Sequence, residues 1–396
     1  MDSVPKEELD VRTTRLQRAM REKDLDAAFI IHRADLFYFA GTSQSSVLCI
    51  PAEGSPVLMV RKSFDRARKE SVLQNIVYLP SYRDLPHLLR DHKITNLNHI
   101  GMEFDVIPVS LFFTYQRIFP KVRFEDISTA IKDLRMTKSA YEIDCMREAG
   151  KISDAILKEA KDELKVGRTE VDIASRISSI AFRLGSQGEA ISRAWNQRPC
   201  PLPFVLSGEN GAVASCTDGP FGGRGINSLA PVGSSHKKIE AHEPIVLDIG
   251  ATYNGYMADV TRTFSIGEIS SPLCNAYEAT LKIEEELIKE LVPGKTCSEL
   301  YQMAEEMAKS LGYGDNFMGY GKDRVRFVGH GLGLEVDELP VFAEGFDMPL
   351  EEGMTVAVEP KLIFPGLGAV GIENTWLIKR DDPEPLTVMD GALCII

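Results

Sequence analysis

The stretch from Ile245 to Phe264, IVLDIGATYNGYMADVTRTF, constrains this chain more than any other, and it predicts a β-hairpin. An apolar strand leads into the pair Asn254-Gly255. That pair favours a tight two-residue turn, because both turn positions need positive φ. With these turn residues, Tyr253 opposes Tyr256, and the register of the remaining pairs follows from that contact.

The same register brings two aspartates together. Gly250 opposes Asp259, and Asp248 shares a face of the sheet with Gly250. The two carboxylates then lie diagonally, about 7–8 Å apart by backbone, and Gly250 leaves the room that a bound ion needs. Carboxylates on adjacent central strands repel each other unless a cation lies between them. The alternative is that both aspartates are surface residues on a solvated face.

Three later ionisable residues each lie in an otherwise apolar, strand-like run. They are His330 in VGHGLGLEV, Glu359 at the end of MTVAVEP, and Glu373 in AVGIENTWLI. A lone histidine in such a run is more often a core residue, and a lone strand glutamate is usually exposed. Together with the two aspartates, however, they form an oxygen-rich set suited to a pair of divalent cations bridged by carboxylates.

The order of these five residues resembles the ligand order of the pita-bread metallopeptidases, which include aminopeptidase P, prolidase and methionine aminopeptidase. The matching stretches are DIGATYNGYMADVTRTF, GHGLGLEVDELP, VAVEP and GIENT, and the resemblance covers nearly the whole chain. A creatinase-like amino-terminal part points to the Xaa-Pro peptidase branch. The resemblance implies an α/β amino-terminal domain, residues 1–134. An α+β pita-bread catalytic domain with pseudo-twofold duplicated halves, residues 135–396, then follows. The five candidate metal ligands are Asp248, Asp259, His330, Glu359 and Glu373.

Composition and charge agree with an ordinary soluble enzyme. The chain has 396 residues, of which 44% are hydrophobic and 26% charged, and this length suits two globular domains. Its formal net charge of −13 argues against nucleic-acid binding. We expect neither a signal peptide nor a membrane span, since no apolar run is long enough. The seven cysteines are dispersed and predict reduced thiols in a cytoplasmic protein. Cys216, the one near a motif, is interpreted as a small packing residue.

The amino-terminal part predicts an α/β domain that ends near Asp133. Residues Glu7 to Lys23 have helical spacing. Short apolar runs that predict strands begin at Ala27, Ser46, Pro56, Asn75 and His99. We expect no cluster of histidine, cysteine and acid here. The dispersed histidines are interpreted as structural, and they are His32, His87, His92 and His99. The family resemblance implies that this domain helps to shape the substrate pocket, often across a dimer interface.

An internal repeat supports the duplicated halves. Ser139 and Glu142 form a capping box that begins a helix reaching about Leu164. Two stretches that begin at Glu163 and Glu290, 127 residues apart, then match without a gap. The matched pairs are Gly167 with Gly294, Thr169 with Thr296, Leu184 with Leu311, and Gly185 with Gly312. The alternative is that helix ends simply resemble one another. A duplicated unit places the metal site between the halves, where their sheets converge.

The resemblance also implies a mechanism. Asp259 and Glu373 would bridge two metal ions, Asp248 would complete one site, and His330 with Glu359 would complete the other. A water between the ions would lose a proton, and the resulting hydroxide would attack a carbonyl carbon. Glu359 is then the candidate that passes a proton to the leaving nitrogen. Ligand hardness favours Mn, and Co, Fe or Zn remain alternatives.

Four positions depart from the family pattern. Family peptidases have histidines where this chain has Ser215, Arg326 and Asp337, and many have an arginine where it has Gly371. These groups contact the substrate carbonyl and the reaction intermediate. We expect these replacements to leave metal binding intact. They argue against Xaa-Pro cleavage, however, and they change the substrate pocket. Arg326 and Asp337 either form an ion pair or hold a charged substrate.

The predicted function is therefore a dinuclear Xaa-Pro aminopeptidase or dipeptidase, with Glu359, Asp337 and Arg326 as the catalytic candidates. Thr261 and Arg262 either orient Asp259 or are plain strand contacts. We expect a short-peptide or small-molecule substrate, a homodimer, and neither nucleic acid nor membrane as partner. One alternative is a hydrolase or lyase acting on a betaine-like compound or an amide. Another is a binding module without catalysis, which the intact ligand set argues against.

Overall fold

The computed structural model describes residues 3–193 and 203–396, and the chain divides into two units. The first unit contains the described residues up to Arg135 together with Arg193. The second contains the other described residues from Met136 onwards. Among the described residues, no helix is both long enough and apolar enough to span a membrane.

The first unit is built on a mixed six-stranded sheet of order β4-β3-β2-β1-β5-β6. Its helices are α1 (Lys6–Glu22), α2 (Arg33–Ala40), α3 (Phe64–Glu70), α4 (Leu85–Asp91), α5 (Val109–Ile118) and α6 (Ser128–Met136). Its strands are β1 (Ala27–Ile30), β2 (Ser46–Pro51), β3 (Val57–Val60), β4 (Asn75–Tyr78), β5 (His99–Met102) and β6 (Arg123–Asp126). Strand β1 lies antiparallel to β2 and parallel to β5.

The predicted helix and all five predicted strands of this unit are present. Strands β1, β2 and β3 are buried along their whole length, because they occupy the centre of the sheet, and their apolar runs reflect that. The sixth strand, β6, was not predicted. Its sequence RFED carries mostly polar side chains, since it forms an edge of the sheet and is only partly buried.

The second unit contains four helices and eleven strands within its described residues. The helices are α7 (Ala140–Ala160), α8 (Glu170–Arg183), α9 (Ser271–Lys289) and α10 (Cys297–Ser310). The strands up to the midpoint are β7 (Phe204–Ser207), β8 (Ile245–Tyr253), β9 (Tyr256–Ser265), β10 (Phe327–Gly331) and β11 (Glu338–Ala343). The remaining strands are β12 (Thr355–Val358), β13 (Lys361–Phe364), β14 (Gly368–Gly371), β15 (Asn374–Leu377), β16 (Glu384–Pro385) and β17 (Cys394–Ile395).

These strands form a four-stranded sheet, β17-β9-β8-β7, a five-stranded sheet, β11-β10-β12-β15-β16, and the hairpin β13-β14. One apolar core packs α7 and α8 against the four-stranded sheet. A second packs α9 and α10 against the five-stranded sheet. The two sheets meet where Thr261 pairs with Glu373 in an isolated antiparallel bridge. A helix pair on each sheet is the duplicated arrangement that the sequence predicts.

The central hairpin has the predicted register. Tyr253 pairs with Tyr256, and Gly250 pairs with Asp259. Both turn residues have positive φ, 47° at Asn254 and 86° at Gly255. This register places Asp248 opposite Thr261, two residues from the Asp259 pair, so that both aspartates lie on the same face of the sheet.

The internal repeat is also present at the level of single backbone positions. Thr169 and Thr296 are the N-caps of α8 and α10, and each hydroxyl accepts a hydrogen bond from a backbone N–H in the first turn. The glycines two residues before these caps, Gly167 and Gly294, have φ of 86° and 95°. Helix α7 also begins as predicted, with a capping box between Ser139 and Glu142. It is α-helical to Ala160, and a short 3₁₀ turn continues it.

The interpretation of Cys216 as a packing residue is wrong, because its side chain is exposed. The six cysteines within the described residues are free thiols, as predicted. The seventh, Cys200, lies outside the described residues.

Candidate metal centre

The five predicted ligands lie on elements of both sheets of the second unit. Asp248 and Asp259 lie on β8 and β9, and His330 lies on β10. Glu359 directly follows β12, and Glu373 directly precedes β15. All are buried except Asp248, which is partly exposed. The contact between the two sheets brings these residues close together in space, although they are far apart in the sequence.

Three of the five residues converge on one position. Asp259, His330 and Glu373 each offer a ligand atom, and these atoms all lie within 4.8 Å of one another. Glu359 adjoins this group, because its Oε1 lies 3.7 Å from His330 Nε2. The corresponding distance from Glu373 Oε1 to His330 Nε2 is 3.8 Å. A buried imidazole surrounded by carboxylate oxygens is a donor set that fits a divalent transition metal ion.

The charges of these groups also favour a bound cation. Burial raises the pKa of Asp248 to about 7 and that of Asp259 well above its usual value, and the neighbouring carboxylates raise both further. Burial likewise raises the pKa of Glu359. Glu373 differs, because Lys361 and His330 outweigh the effect of burial and lower its pKa to about 2. The four carboxylates, of which Asp259, Glu359 and Glu373 are buried, thus lack sufficient positive charge, and a cation would supply it.

Lys361, the first residue of β13, also lies at this centre, although no sequence motif predicted it there. It is 1% exposed, and its ammonium group lies 2.5 Å from Glu359 Oε2 and 2.8 Å from Glu373 Oε2. Its position could have been inferred from spacing, because residues two apart in an extended chain point to the same side. Lys361 is two residues after Glu359, which is one of the five candidate ligands.

Thr261 and Arg262 hold the segment around Glu373, and neither of the two predicted roles describes this. The Thr261 hydroxyl donates to Glu373 Oε2 at 2.7 Å. The Arg262 guanidinium donates to the Glu373 carbonyl at 2.8 Å and to Asn374 Oδ1 at 2.7 Å. Both residues therefore orient a ligand, but this ligand belongs to the other sheet.

The positions that depart from the family pattern are dispersed. Asp337 lies near the centre, since its Oδ1 is 3.9 Å from His330 Nδ1, and 58% of its side chain is exposed. The alternative of an Arg326–Asp337 ion pair is wrong, because Arg326 pairs with Glu344 at 2.8 Å and is 77% exposed. Ser215 is bonded to a neighbouring hydroxyl in its own loop. At Gly371 a Cβ atom would lie 2.5 Å from Lys361 Cγ, so a side chain there would collide with the lysine.

A second cluster, in the first unit, corrects the expectation that this part has none. His32, Asp35 and Glu103 offer ligand atoms within 4.8 Å of one another. Two guanidinium groups already neutralise this cluster, since Arg135 and Arg193 lie 2.7 Å and 2.6 Å from the two Asp35 oxygens. Glu103 additionally accepts hydrogen bonds from the Ile31 and His32 amides. The cluster is therefore a buried ion-pair network that does not require a metal.

Comparison with known proteins gives two family matches that together span most of the chain. Residues 12–137 match the creatinase/prolidase N-terminal domain, and residues 144–380 match metallopeptidase family M24. Among curated proteins, an Xaa-Pro dipeptidase from Pyrococcus furiosus is 28% identical over 96% of this chain and 99% of its own length. An Xaa-Pro dipeptidase from Lactobacillus helveticus is also 28% identical, over 96% of this chain and 98% of its own.

The solved structures agree with this assignment of the fold. The crystal structure of an X-Pro aminopeptidase from Thermotoga maritima superposes with a TM-score of 0.81 and is 28% identical. The match covers 97% of this chain and 99% of that one. The likeness therefore extends over both units.

Proposed function

Because this chain belongs to metallopeptidase family M24, we propose that it is an Xaa-Pro dipeptidase or aminopeptidase. It would remove the amino-terminal residue from short peptides that have proline in the second position. The observation that carries the proposal is the convergence of Asp259, His330 and Glu373 on one buried position. The names of the relatives support the substrate class, since the match to them spans nearly the whole of both chains.

The proposed ligand set for up to two divalent ions is Asp248, Asp259, His330, Glu359 and Glu373. Mn is the first choice because most of these donors are hard carboxylate oxygens, and Co, Fe or Zn are alternatives. A bound ion would supply Lewis-acid polarisation of the scissile carbonyl and an activated water. Thr261 and Arg262 hold one of these ligands, Glu373, by hydrogen bonds to its carboxylate and its carbonyl.

The protein's own groups then move the proton and orient the reactants. Glu359 is proposed to pass a proton to the leaving nitrogen through its carboxylate. The Gly331 carbonyl lies 3.1 Å from His330 Nδ1 and holds that imidazole. Asp337, whose Oδ1 lies 3.9 Å from the same nitrogen, is proposed to support this orientation through its charge. Arg326 has an exposed guanidinium immediately before β10, and we propose it as a contact for a charged group of the substrate.

We further propose that the protein is a cytoplasmic homodimer that binds neither nucleic acid nor membrane. The formal net charge of −13 supports the exclusion of nucleic acid, since a polyanion would be repelled. The free cysteines support a reducing compartment. We propose residues 1–134 and 135–396 as the two domains, the second of which carries the metal centre.

A substrate screen tests this function. The protein would be freed of metal with a chelator, reconstituted with Mn²⁺, and assayed with Ala-Pro, Ala-Pro-Gly, Ala-Ala and small betaines. We expect cleavage of the proline-containing peptides, loss of activity in the chelated protein, and no reaction of the betaines. The Asp259→Ala variant serves as the matched inactive control. Turnover of a betaine or simple amide without cleavage of either proline peptide would reject the proposal.

A further inference from the structure

At the candidate metal centre, Glu359 and Glu373 each have one carboxylate oxygen near one position and the other oxygen near a second position. The Oε1 atoms of Glu359 and Glu373 face His330 Nε2, at 3.7 Å and 3.8 Å. Their Oε2 atoms face the opposite way, towards the Lys361 ammonium, at 2.5 Å and 2.8 Å. Paired carboxylates with this arrangement bridge two cations. One of the two cationic positions already contains a charged group of the protein.

The position of Lys361 is built into the fold. Its backbone pairs with Gly371 across the β13–β14 hairpin. Because a Cβ at Gly371 would lie 2.5 Å from Lys361 Cγ, the glycine provides the space through which the lysine reaches the centre. Its ammonium also lies over the ring of Phe221, 5.0 Å from the ring centroid, which is within the range of cation–π attraction.

Removing this ammonium from the centre would be unfavourable. Lys361 is 1% exposed, and its two close ionic partners are Glu359 and Glu373. Breaking such a buried pair is strongly unfavourable, because a charge is left buried without compensation. A metal ion approaching the Oε2 atoms would have to meet that penalty and also overcome repulsion by the ammonium.

We propose that the ammonium group of Lys361 is the resident second cation of this centre, so that the protein binds one divalent ion per chain. That ion would lie on the side formed by Asp259, His330 and the Oε1 atoms of the two glutamates. The inference rests on the proposed function, because it takes the location of the metal centre from it. It restricts that function from a centre of up to two ions to a mononuclear one.

The test is the number of Mn²⁺ ions bound per chain. Metal-free protein would be titrated with Mn²⁺, and the bound metal would be measured by elemental analysis after gel filtration. We expect one ion in the wild type and two in Lys361→Ala, which removes the charge and leaves space at the Oε2 atoms. If that variant does not fold, Lys361→Ser makes the same change with a polar side chain.

Lys138 provides a matched control. It is another buried lysine of the same unit, and it pairs at 3.1 Å with Glu338, which is not one of the five proposed ligands. Lys138→Ala should therefore leave the stoichiometry at one ion. Electron paramagnetic resonance gives an independent readout, since an isolated Mn²⁺ shows a six-line spectrum and a coupled pair does not.

Two results would overturn the inference while metal is still bound, namely two ions in the wild-type protein or a single ion in both Lys361 variants. Either result is compatible with Xaa-Pro cleavage, so the proposed function would survive it. Conversely, a wild-type protein with one ion and no Xaa-Pro cleavage would reject the function and keep the mononuclear centre. A wild-type protein that binds no Mn²⁺ would reject the inference, and the substrate screen would judge the function separately.

Discussion

The hydroxyl of Thr261 donates a 2.7 Å hydrogen bond to Glu373 Oε2, and the backbones of the same two residues pair in both directions. The Thr261 amide donates to the Glu373 carbonyl at 3.3 Å, and the Glu373 amide donates to the Thr261 carbonyl at 3.1 Å. These contacts join the two sheets at the candidate metal centre, so one residue both connects the duplicated halves and orients a candidate ligand.

Thr261→Val should weaken metal binding while the backbone bridge is retained. Removing the hydroxyl takes away one of the two donors to Glu373 Oε2 and leaves only Lys361 there. The loss of such a supporting contact typically lowers metal affinity about 10–100-fold. Thr263→Val is the matched control, because the Thr263 hydroxyl is equally buried on β9 but bonds to the Gly371 backbone. Mn²⁺ titration of both variants checks this, and an equal loss of affinity in the two would contradict it.

Asp259→Ala and Glu373→Ala should each abolish metal binding. Both residues belong to the group of three whose ligand atoms lie within 4.8 Å, so each deletion removes a donor from the position where the proposed ligands converge. Elemental analysis of the purified variants is the measurement. Asp154→Asn serves as control, since Asp154 is a buried aspartate that caps the Val388 and Met389 amides. Full metal content in either ligand variant would remove that residue from the set.

Glu359→Gln separates binding from chemistry. The amide retains one coordinating oxygen and the size of the side chain, but it cannot pass a proton to the leaving nitrogen. We therefore expect bound metal to remain while kcat for an Xaa-Pro dipeptide falls about 10²–10⁴-fold. Both quantities would be measured on the same sample. Near-normal turnover with the metal retained would leave Glu359 as a ligand without a catalytic role.

Asp105 should make stability depend on pH in the acid range. Burial raises its pKa, but Arg193 at 2.7 Å and Lys132 at 2.8 Å outweigh this and lower the pKa to about 2. Because the folded-state pKa is lower than the unfolded one, the stabilisation is present above about pH 4 and is lost as the pH falls towards 2.

The corresponding measurement is the difference in free energy of unfolding between the wild type and Asp105→Asn. Allowing for the partial exposure of Asp105, we expect about 1 kcal/mol at pH 6 and a smaller difference at pH 3. Using the difference removes the contribution of other acid-titrating groups. A difference that stays constant between these pH values would show that the ion pairs do not perturb Asp105.

The two repeated helix caps should contribute similar amounts to the free energy of unfolding. Thr169→Ala and Thr296→Ala each remove a side-chain acceptor from a helix N-terminus, and such losses cost about 1 kcal/mol. The serine variants keep the acceptor and should restore most of that stability. Urea denaturation of the four variants provides the comparison. A large loss at one cap and none at the other would show that the equivalent positions do not carry equivalent energies.

Local rules were sufficient for several parts of this structure. The Asn254-Gly255 turn determined the hairpin register, because a two-residue turn leaves no choice of partner for Tyr253 and Tyr256. The match between Thr169 and Thr296 predicted two equivalent helix starts, since capping depends on a few neighbouring residues. The apolar runs located the central strands of the first unit. Strand β6, by contrast, is polar because it lies at an edge, and its sequence carried no apolar signal.

Contacts between distant residues were decided only by the tertiary structure. The sequence by itself predicted five candidate ligands, because each lies in a strand-like run with a recognisable motif, and the structure brings three of them, Asp259, His330 and Glu373, to one position. The sequence did not show that Lys361 shares their position, that Thr261 supports Glu373, or that Arg326 pairs with Glu344. The sequence also did not show the cluster of His32, Asp35 and Glu103 in the first unit. The physical reason is that a buried charge selects its partner by distance and desolvation after the chain has folded, and neither is a property of sequence spacing.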